Sequence, residues 1–376
     1  MADLTFAALV PAAGESSRME AFKPLMELGG QTLAERAVRL FQAAGVDEVV
    51  VVVGHRADEL IPVLEGISCR TVANPDYREG MFSSIQVGAR ELQGRCDAFF
   101  VLPVDIPLVR PMTIRRLMEQ FGDRPALVTH PVSASGRGHP PLIDSRLIKD
   151  LLAFAGTGGL RAFLDGHADR SVEVPVADAW IRRDVDTEDE LDRLRRDFER
   201  YTIPTPEECL AMLDHYLEIP EAVKTHSRSV ARVAARLGSA LNAAGGHLDL
   251  DLLIASGLLH DAFKGQRDHA PRGADWLREN GFREVASVVA GHMDIRWEEK
   301  DGMDERALVY LADRVVEGES VVPLAQRQAA ALSKYGHEAD VRRSVEARFD
   351  TAMKIQSMVE KITGLSLIGI LESSGK

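Results

Sequence analysis

The stretch LVPAAGESSRMEAFKPL (residues 9–25) crowds small residues around Gly14 and follows them with Arg18 and Lys23. Gly14 and its neighbours Ala12, Ala13, Ser16 and Ser17 let backbone amides approach a phosphate closely. Arg18 can grip the same anion with a planar fork and Lys23 with a point charge. The spacing fits neither GxGxxG nor GxxxxGK[ST], which disfavours a dinucleotide fold and a P-loop ATPase. Without a ligand, the same stretch reads as a Gly/Ser loop with two solvated cations.

A second set of residues has the chemistry of a divalent cation. FFVLPVDIPLV (99–109) sets Asp105 directly after an apolar run, where a charge packs badly. Mg²⁺ favours one or two carboxylates completed by substrate phosphates. IRRDVDTEDEL (181–191) offers the partner carboxylate among Asp184, Asp186, Glu188 and Asp189. Asp186 and Thr187 are equally placed to cap a helix that begins with acidic residues.

A third set lies in the second half: His226, His260, Asp261, His269, His292 and Asp313. His260 and Asp261 follow LLIASGLL (252–259), an apolar run that should be buried. A buried, adjacent His and Asp are costly unless bonded or metal-bound. Two histidines, an aspartate beside one of them and a distant aspartate make a divalent-metal shell. Each residue alone is an ordinary core or surface group, and it is the sequence HDAFK (260–264) that favours the metal.

The elements that must position these residues fall into two regions, as expected for a chain of 376 residues. Strands are expected at FAALV (6–10), EVVVVVG (48–54), CRTVANP (69–75), DAFFVLPVD (97–105), PALVTHPVS (125–133) and SVEVPV (171–176). Helices lie between most of them, such as TLAERAVRLFQAAG (32–45), closed by glycine. Apolar runs without alternation mark parallel strands covered on both faces, so the region reads as an open, mostly parallel α/β sheet. Ligands of such sheets sit beyond the carboxyl ends of the strands, where PAAGESSRM and Asp105 lie. From about Asp189 the pattern is helical throughout, and two prolines in YTIPTPEE (201–208) mark the join. The expected domains are 1–200 and 201–376. The run RRSVEARFDTAMKIQSMVEK (342–361) reads as a helix packed on the second core.

A net charge of −13 argues against a nucleic-acid coat or an anionic membrane surface. Cys69, Cys96 and Cys209 have no close spacing, which disfavours a disulfide framework and a cysteine zinc site. Reduced thiols fit a cytoplasmic protein. No signal peptide and no transmembrane span are expected.

Five motifs run in order over residues 4–196: PAAGESSRM with Lys23, EGMFSSIQVGA (79–89), LPVDIPLV (102–109), RGHPPLI (137–143) and DVDTEDEL (184–191). Together they resemble the nucleotidyltransferases that act on molybdenum cofactor and on sugar phosphates, the molybdenum cofactor cytidylyltransferase branch most closely. The resemblance implies a Rossmann-like nucleotidyltransferase fold, an NTP substrate with CTP favoured, and a small phosphorylated acceptor of molybdopterin type. It places Ala13 and Gly14 at the nucleotide, Arg18 and Lys23 on the phosphates, and Mg²⁺ on Asp105 and Asp186. Ser83, Ser84 and His139 would lie close to the cleft. The sequence departs from the pattern at Pro11, where a small residue is usual, and at Glu20, where a glycine is usual.

The helical half resembles the HD-domain phosphohydrolases over residues 222–320, with His226, His260–Asp261 and Asp313 as the motif. The resemblance implies a divalent ion (Mn, Fe, Mg, Co, Ni or Zn) on these four residues, with Lys264 and His269 beside it and His292 available for a second ion. The expected reaction is hydrolysis of a phosphomonoester, a phosphodiester or a nucleotide. The alternative is a nucleotide-binding regulatory module attached to the transferase, and a homodimer is compatible with either.

Overall fold

The computed structural model describes residues 4–15 and 21–372, and the chain divides into two compact units, Met1–Tyr201 and Thr202–Lys376. Each is described by itself.

The first unit is built on an eight-stranded sheet. In chain order its strands are β1 (Phe6–Pro11), β2 (Glu48–Val53), β3 (Arg70–Ala73), β4 (Ala98–Val101), β5 (Val128–Ser133), β6 (Gly136–Arg137), β7 (Leu142–Asp144) and β8 (Ser171–Pro175). The path across the sheet is β8-β5-β7-β4-β1-β2-β3, with β6 hanging on β5. β1 pairs in parallel with both β2 and β4, with Leu9 opposite Val50 on one side and Val101 on the other. β7 runs antiparallel to both of its neighbours, β4 and β5, so the sheet is mixed. A strand of three residues that follows Pro140 and Pro141 has too little pattern to be seen in the sequence.

The consecutive valines of β2 serve both layers of the core. Val49, Val51 and Val53 pack in one cluster and Val50 and Val52 in the other, all nearly inaccessible. Each such side chain stabilises the fold by ~1.5–3 kcal/mol relative to exposure. The helix Leu33–Ala44 is held at its start by a reciprocal Thr32–Glu35 capping box and ends at Gly45 in the left-handed conformation.

Among its described residues the second unit is helical apart from a two-residue ladder, Val316–Glu317 with Ser320–Val321. Its core gathers Val230, Val233 and Leu237 from the helix Glu221–Ala243, Leu308 to Ala312 from Glu305–Val315, and Phe349, Ala352 and Ile355 from Ala339–Thr363. Among the described residues no helix is long and apolar enough to cross a membrane.

Candidate active sites

In the first unit the loop after β1 is pinned to β2: Ala12 N–H donates to Val52 O at 2.8 Å, and His55 N–H to Ala13 O at 3.1 Å. Gly54 makes this possible, because a Cβ there would stand 2.8 Å from Ala13 Cβ and 2.9 Å from Tyr77 Cβ. A Cβ at Gly14, by contrast, would meet none of the described residues within 4 Å. A cleft of ≈ 270 Å³ opens there, lined by Gly14, Lys23, Met81, Asp105 and Asp186 among others. A second cleft, lined by Ala13, Glu15, Tyr77, Arg78 and Ser84, shares Pro11, Gly14 and Met81 with the first.

Two carboxylates meet in the first cleft through one backbone bond, Val185 N–H to Asp105 O at 2.9 Å, which brings Asp186 alongside Asp105. Lys23 lies between them, buried, with Nζ 2.5 Å from Asp186 Oδ1 and 3.6 Å from Asp105 Oδ2. Burial pushes the Asp105 carboxyl above its ordinary range, and Lys23 partly offsets this. The capping alternative for Asp186 falls to its neighbours. Thr187 is the N-cap of the helix Glu188–Glu199, in a capping box with Glu190, whose carboxylate also accepts from the Asp186 amide at 2.8 Å. The side chain of Asp186 therefore faces Lys23. Two carboxylates beside space for phosphate oxygens fit Mg²⁺.

Ser83 and Ser84 stand on the first turns of the helix Met81–Glu91. Asn74, at the end of β3 and 2% exposed, donates to both, to Ser83 Oγ at 2.9 Å and Ser84 Oγ at 3.0 Å. Ser84 lines the second cleft, whereas neither cleft is lined by Ser83 or His139. His139 donates its amide to Ile181 O at 2.7 Å, and burial lowers the pKa of its ring. Arg18 lies outside the described residues. Sequence reasoning missed Asn74 and Met81. An asparagine before proline at a strand end reads as a turn, and an exposed methionine has no signature.

In the second unit the six candidate residues converge. His226 comes from the helix Glu221–Ala243, His260 caps the helix Leu250–Leu259, His269 starts the helix His269–Glu279, and Asp313 lies on Glu305–Val315. The first two helices approach closely at Gly257, where a Cβ would stand 2.5 Å from the Cα of Ala231. Asp261 is central. Its Oδ2 lies 3.4 Å from His260 Nε2 and 3.8 Å from His226 Nε2, while its Oδ1 lies 3.5 Å from His269 Nε2 and 3.7 Å from His292 Nε2. Asp313 Oδ1 completes the first side, 3.1 Å from His226 Nε2 and 3.5 Å from His260 Nε2.

The donor chemistry fits a metal. His260 Nδ1 is 2.8 Å from Gly257 O and must donate to it. That leaves Nε2, fully buried and without a hydrogen-bond partner, facing two carboxylates. A cation resolves the clash. In the metal-free site a proton does so: burial lowers the His260 pKa, but Asp261 and Asp313 outweigh it and raise it to about 10. His292 is arranged in the same way, with Nδ1 2.7 Å from Val289 O. Two ligand sets result, His226–His260–Asp261 and Asp261–His269–His292, so the helical unit contains a divalent-metal-binding site. Lys264 Nζ is 2.5 Å from Asp261 Oδ2. Arg314, which the sequence did not single out, pairs with Asp313 Oδ2 and donates to Met293 O at 3.1 Å. With Arg314 beside it, Asp313 stays ionised well below the usual carboxylate range despite burial.

The chain thus joins an α/β domain with an acidic cleft to a helical domain with a metal-ligand cluster. Residues 8–172 match the MobA-like NTP transferase domain and residues 223–318 the HD domain, so the chain carries one of each. A curated relative from Rubrobacter xylanophilus, a bifunctional IPC transferase and DIPP synthase, is 41% identical over 134 residues, which is 34% of this chain and 30% of that protein. The nicotine blue oxidoreductase of Paenarthrobacter nicotinovorans is 29% identical over 192 residues, 49% of this chain and 93% of that protein. A solved nucleotidyl transferase from Methanothermobacter thermautotroptrophicus has a TM-score of 0.46 at 29% identity, covering 52% of this chain and 98% of that one. The chain spans between 26% and 35% of the length of the first curated relatives it matches.

Proposed function

We propose that the chain is an enzyme with two activities. The α/β unit transfers a nucleotidyl group from an NTP to a small phosphorylated acceptor, and the helical unit hydrolyses a phosphate ester. The observation that supports both is that each unit closes its own set of phosphate-handling residues: Lys23 between Asp105 and Asp186 in one, Asp261 between two histidine pairs in the other.

In the transfer reaction an acceptor phosphate oxygen bonds to the α-phosphorus of the NTP as the bond to the departing pyrophosphate breaks. Such a step needs positioning and charge neutralisation rather than a protein nucleophile. Asp105 and Asp186 would hold Mg²⁺, which would supply positive charge to the reacting phosphates. Lys23 turns from Asp186 to the pyrophosphate, joined there by Arg18. Ala13 and Gly14 present backbone to the nucleotide, and Ser84, oriented by Asn74, borders the neighbouring cleft. CTP and an acceptor of molybdopterin type are the favoured substrates, on the likeness of the five motifs.

In the hydrolytic reaction His226, His260, Asp261 and Asp313 would hold a divalent ion. When bound, it supplies Lewis acidity to a phosphoryl oxygen and lowers the pKa of water. Lys264 offers its charge to the phosphate. His269 exchanges the proton, being the more open of its pair, with 20% side-chain exposure against 0% for His292. The geometry Asp261–His269–His292 favours a second reading in which a further ion binds there. A cytoplasmic setting belongs to the same proposal, supported by three cysteines that form no disulfide among the described residues.

Calorimetric titration of the whole chain with CTP, GTP, ATP and UTP in Mg²⁺, followed by pyrophosphate release, tests the first activity. Absence of binding by all four would sink it. Elemental analysis after loading with Mn²⁺, followed by phosphatase assay, tests the second.

A further inference from the structure

Lys23, Asp105 and Asp186 come from three separate segments of the α/β unit, so their mutual distances depend on what joins those segments. The residues that flank them in the chain meet in one small apolar cluster: Met26 and Leu28 after Lys23, Leu108 after Asp105, and Val185, Leu191 and Leu194 around Asp186. It is distinct from the two layers that cover the sheet. Phe198 and Tyr201 pack against it, with ring centroids 6.1 Å apart. The helix Glu188–Glu199 carries Phe198 in its last turn and Tyr201 just beyond its end.

Each of these rings is held by an arginine from a different segment. Arg36, on the helix Leu33–Ala44, stands 4.5 Å over Phe198. A Cβ at Gly29 would collide with the Phe198 ring, so that ring rests on the turn between Glu27–Leu28 and Gln31–Thr32, which follows Lys23. Arg110, 2% exposed, stands 4.5 Å over Tyr201 and donates from Nη1 to its carbonyl at 2.9 Å. The Tyr201 hydroxyl donates to Val109 O at 3.3 Å, and the Arg110 amide donates to Asp178 Oδ2 at 2.8 Å. Val109 and Arg110 end the short segment that begins with Asp105. Apolar cover alone would be met by any side chain of that size, whereas a guanidinium facing each ring also fixes its direction.

We propose that Phe198 and Tyr201 are positioning residues of the transferase cleft. They set the distances among Lys23, Asp105 and Asp186 from the far end of the helix Glu188–Glu199, without touching substrate. The inference rests on the transferase reading above. Phe198 ties the helix to the Lys23 segment, Tyr201 ties it to the Asp105 segment, and Asp186 stands just before its start. A helix of this length spans about 18 Å, so a tilt of roughly 5° at the ring end carries the carboxylate end by about 1.5 Å. A misplacement of ~1 Å can cost on the order of 10²-fold in rate.

The test uses the whole chain in three variants. Tyr201→Leu keeps apolar cover but takes the ring from Arg110, Tyr201→Phe keeps the ring, and Phe198→Leu releases the other clamp. Three quantities are read: hydrogen exchange of the Val185 amide, whose bond to Asp105 O registers the two carboxylates; the Mg²⁺ concentration that half-saturates CTP binding; and pyrophosphate release. In Tyr201→Leu the Val185 amide should exchange roughly tenfold faster and the Mg²⁺ requirement should rise about tenfold. Tyr201→Phe should restore both. Phe198→Leu should weaken CTP binding more than it raises the Mg²⁺ requirement, because it frees the Lys23 side. A purely structural role would lower the melting temperature and leave exchange at Val185 and the Mg²⁺ requirement of the folded protein as they were. That result in Tyr201→Leu, or a Tyr201→Phe that restores neither quantity, would overturn the inference. Should Tyr201→Leu not fold, Arg110→Lys, which keeps the charge and loses the planar face, is read in the same way. If the wild-type chain binds none of CTP, GTP, ATP and UTP, the transferase reading falls, and exchange at Val185 still decides whether the rings hold the carboxylates in register.

Discussion

The Nε2 atoms of His269 and His292 face one another at 3.2 Å, and both look onto the same oxygen of Asp261. The opposite oxygen of that carboxylate looks onto His226 and His260. One aspartate therefore serves two ligand sets, and its loss should be felt on both sides at once.

Asp261→Ala is expected to abolish stable metal retention, measured by elemental analysis of the loaded protein. Phosphatase activity should fall by several orders of magnitude, while pyrophosphate release by the α/β unit changes little. If Asp261 only bonded its neighbours, the substitution would lower stability by about 1–3 kcal/mol and activity would follow folding alone. A variant that keeps its metal and its turnover would remove Asp261 from the site.

Lys23→Ala should slow pyrophosphate release by roughly 10²–10³-fold, in line with loss of one oriented cation. Asp186→Asn should instead raise the Mg²⁺ concentration needed for half-maximal rate. Its helix should be undisturbed, since Thr187 and Glu190 carry the cap. Circular dichroism beside the Mg²⁺ titration checks both parts, and an unchanged Mg²⁺ requirement counts against the assignment.

The strands were legible because the valines of β2 and the phenylalanines of β4 need cover on both faces, a demand visible without coordinates. β7 was not legible, since its three residues owe their place to the pairing of β4 and β5. The same holds at the sites. His260 and Asp261 announce themselves by charge inside an apolar run. That Asp261 faces two histidine pairs depends on four helices converging.

A pH dependence follows from His130 on β5, 3% exposed. Burial, with Arg137 adding to it, pushes its pKa down to about 4. The folded state therefore keeps the ring neutral while the unfolded chain takes up a proton below about 6.5. The unfolded state binds more protons between those values, so stability falls as pH drops from 6.5 to 4 and is level above. His130→Gln should flatten this part of the stability curve, by up to ~3 kcal/mol at the acid end. Urea melts of both proteins across that range provide the comparison, and parallel curves would contradict the expectation.

We propose further that the two units fold independently, because each has its own core. Residues 1–201 and 202–376 expressed apart should each melt cooperatively. The first should bind NTP and the second metal. A fragment that shows no cooperative transition would tie its stability to the rest of the chain.

The close approach at Gly257 has a consequence for which ions the helical unit will accept. His226 and His260 reach their common point from two different helices, and the spacing of those helices is set by a residue with no side chain resting on the backbone of Ala231. Gly257 also supplies the carbonyl that holds the His260 ring. The glycine thus acts as a caliper. A single methyl inserted there would spread its jaws, lengthening the reach of one histidine relative to the other, and the ions retained would shift toward larger radii.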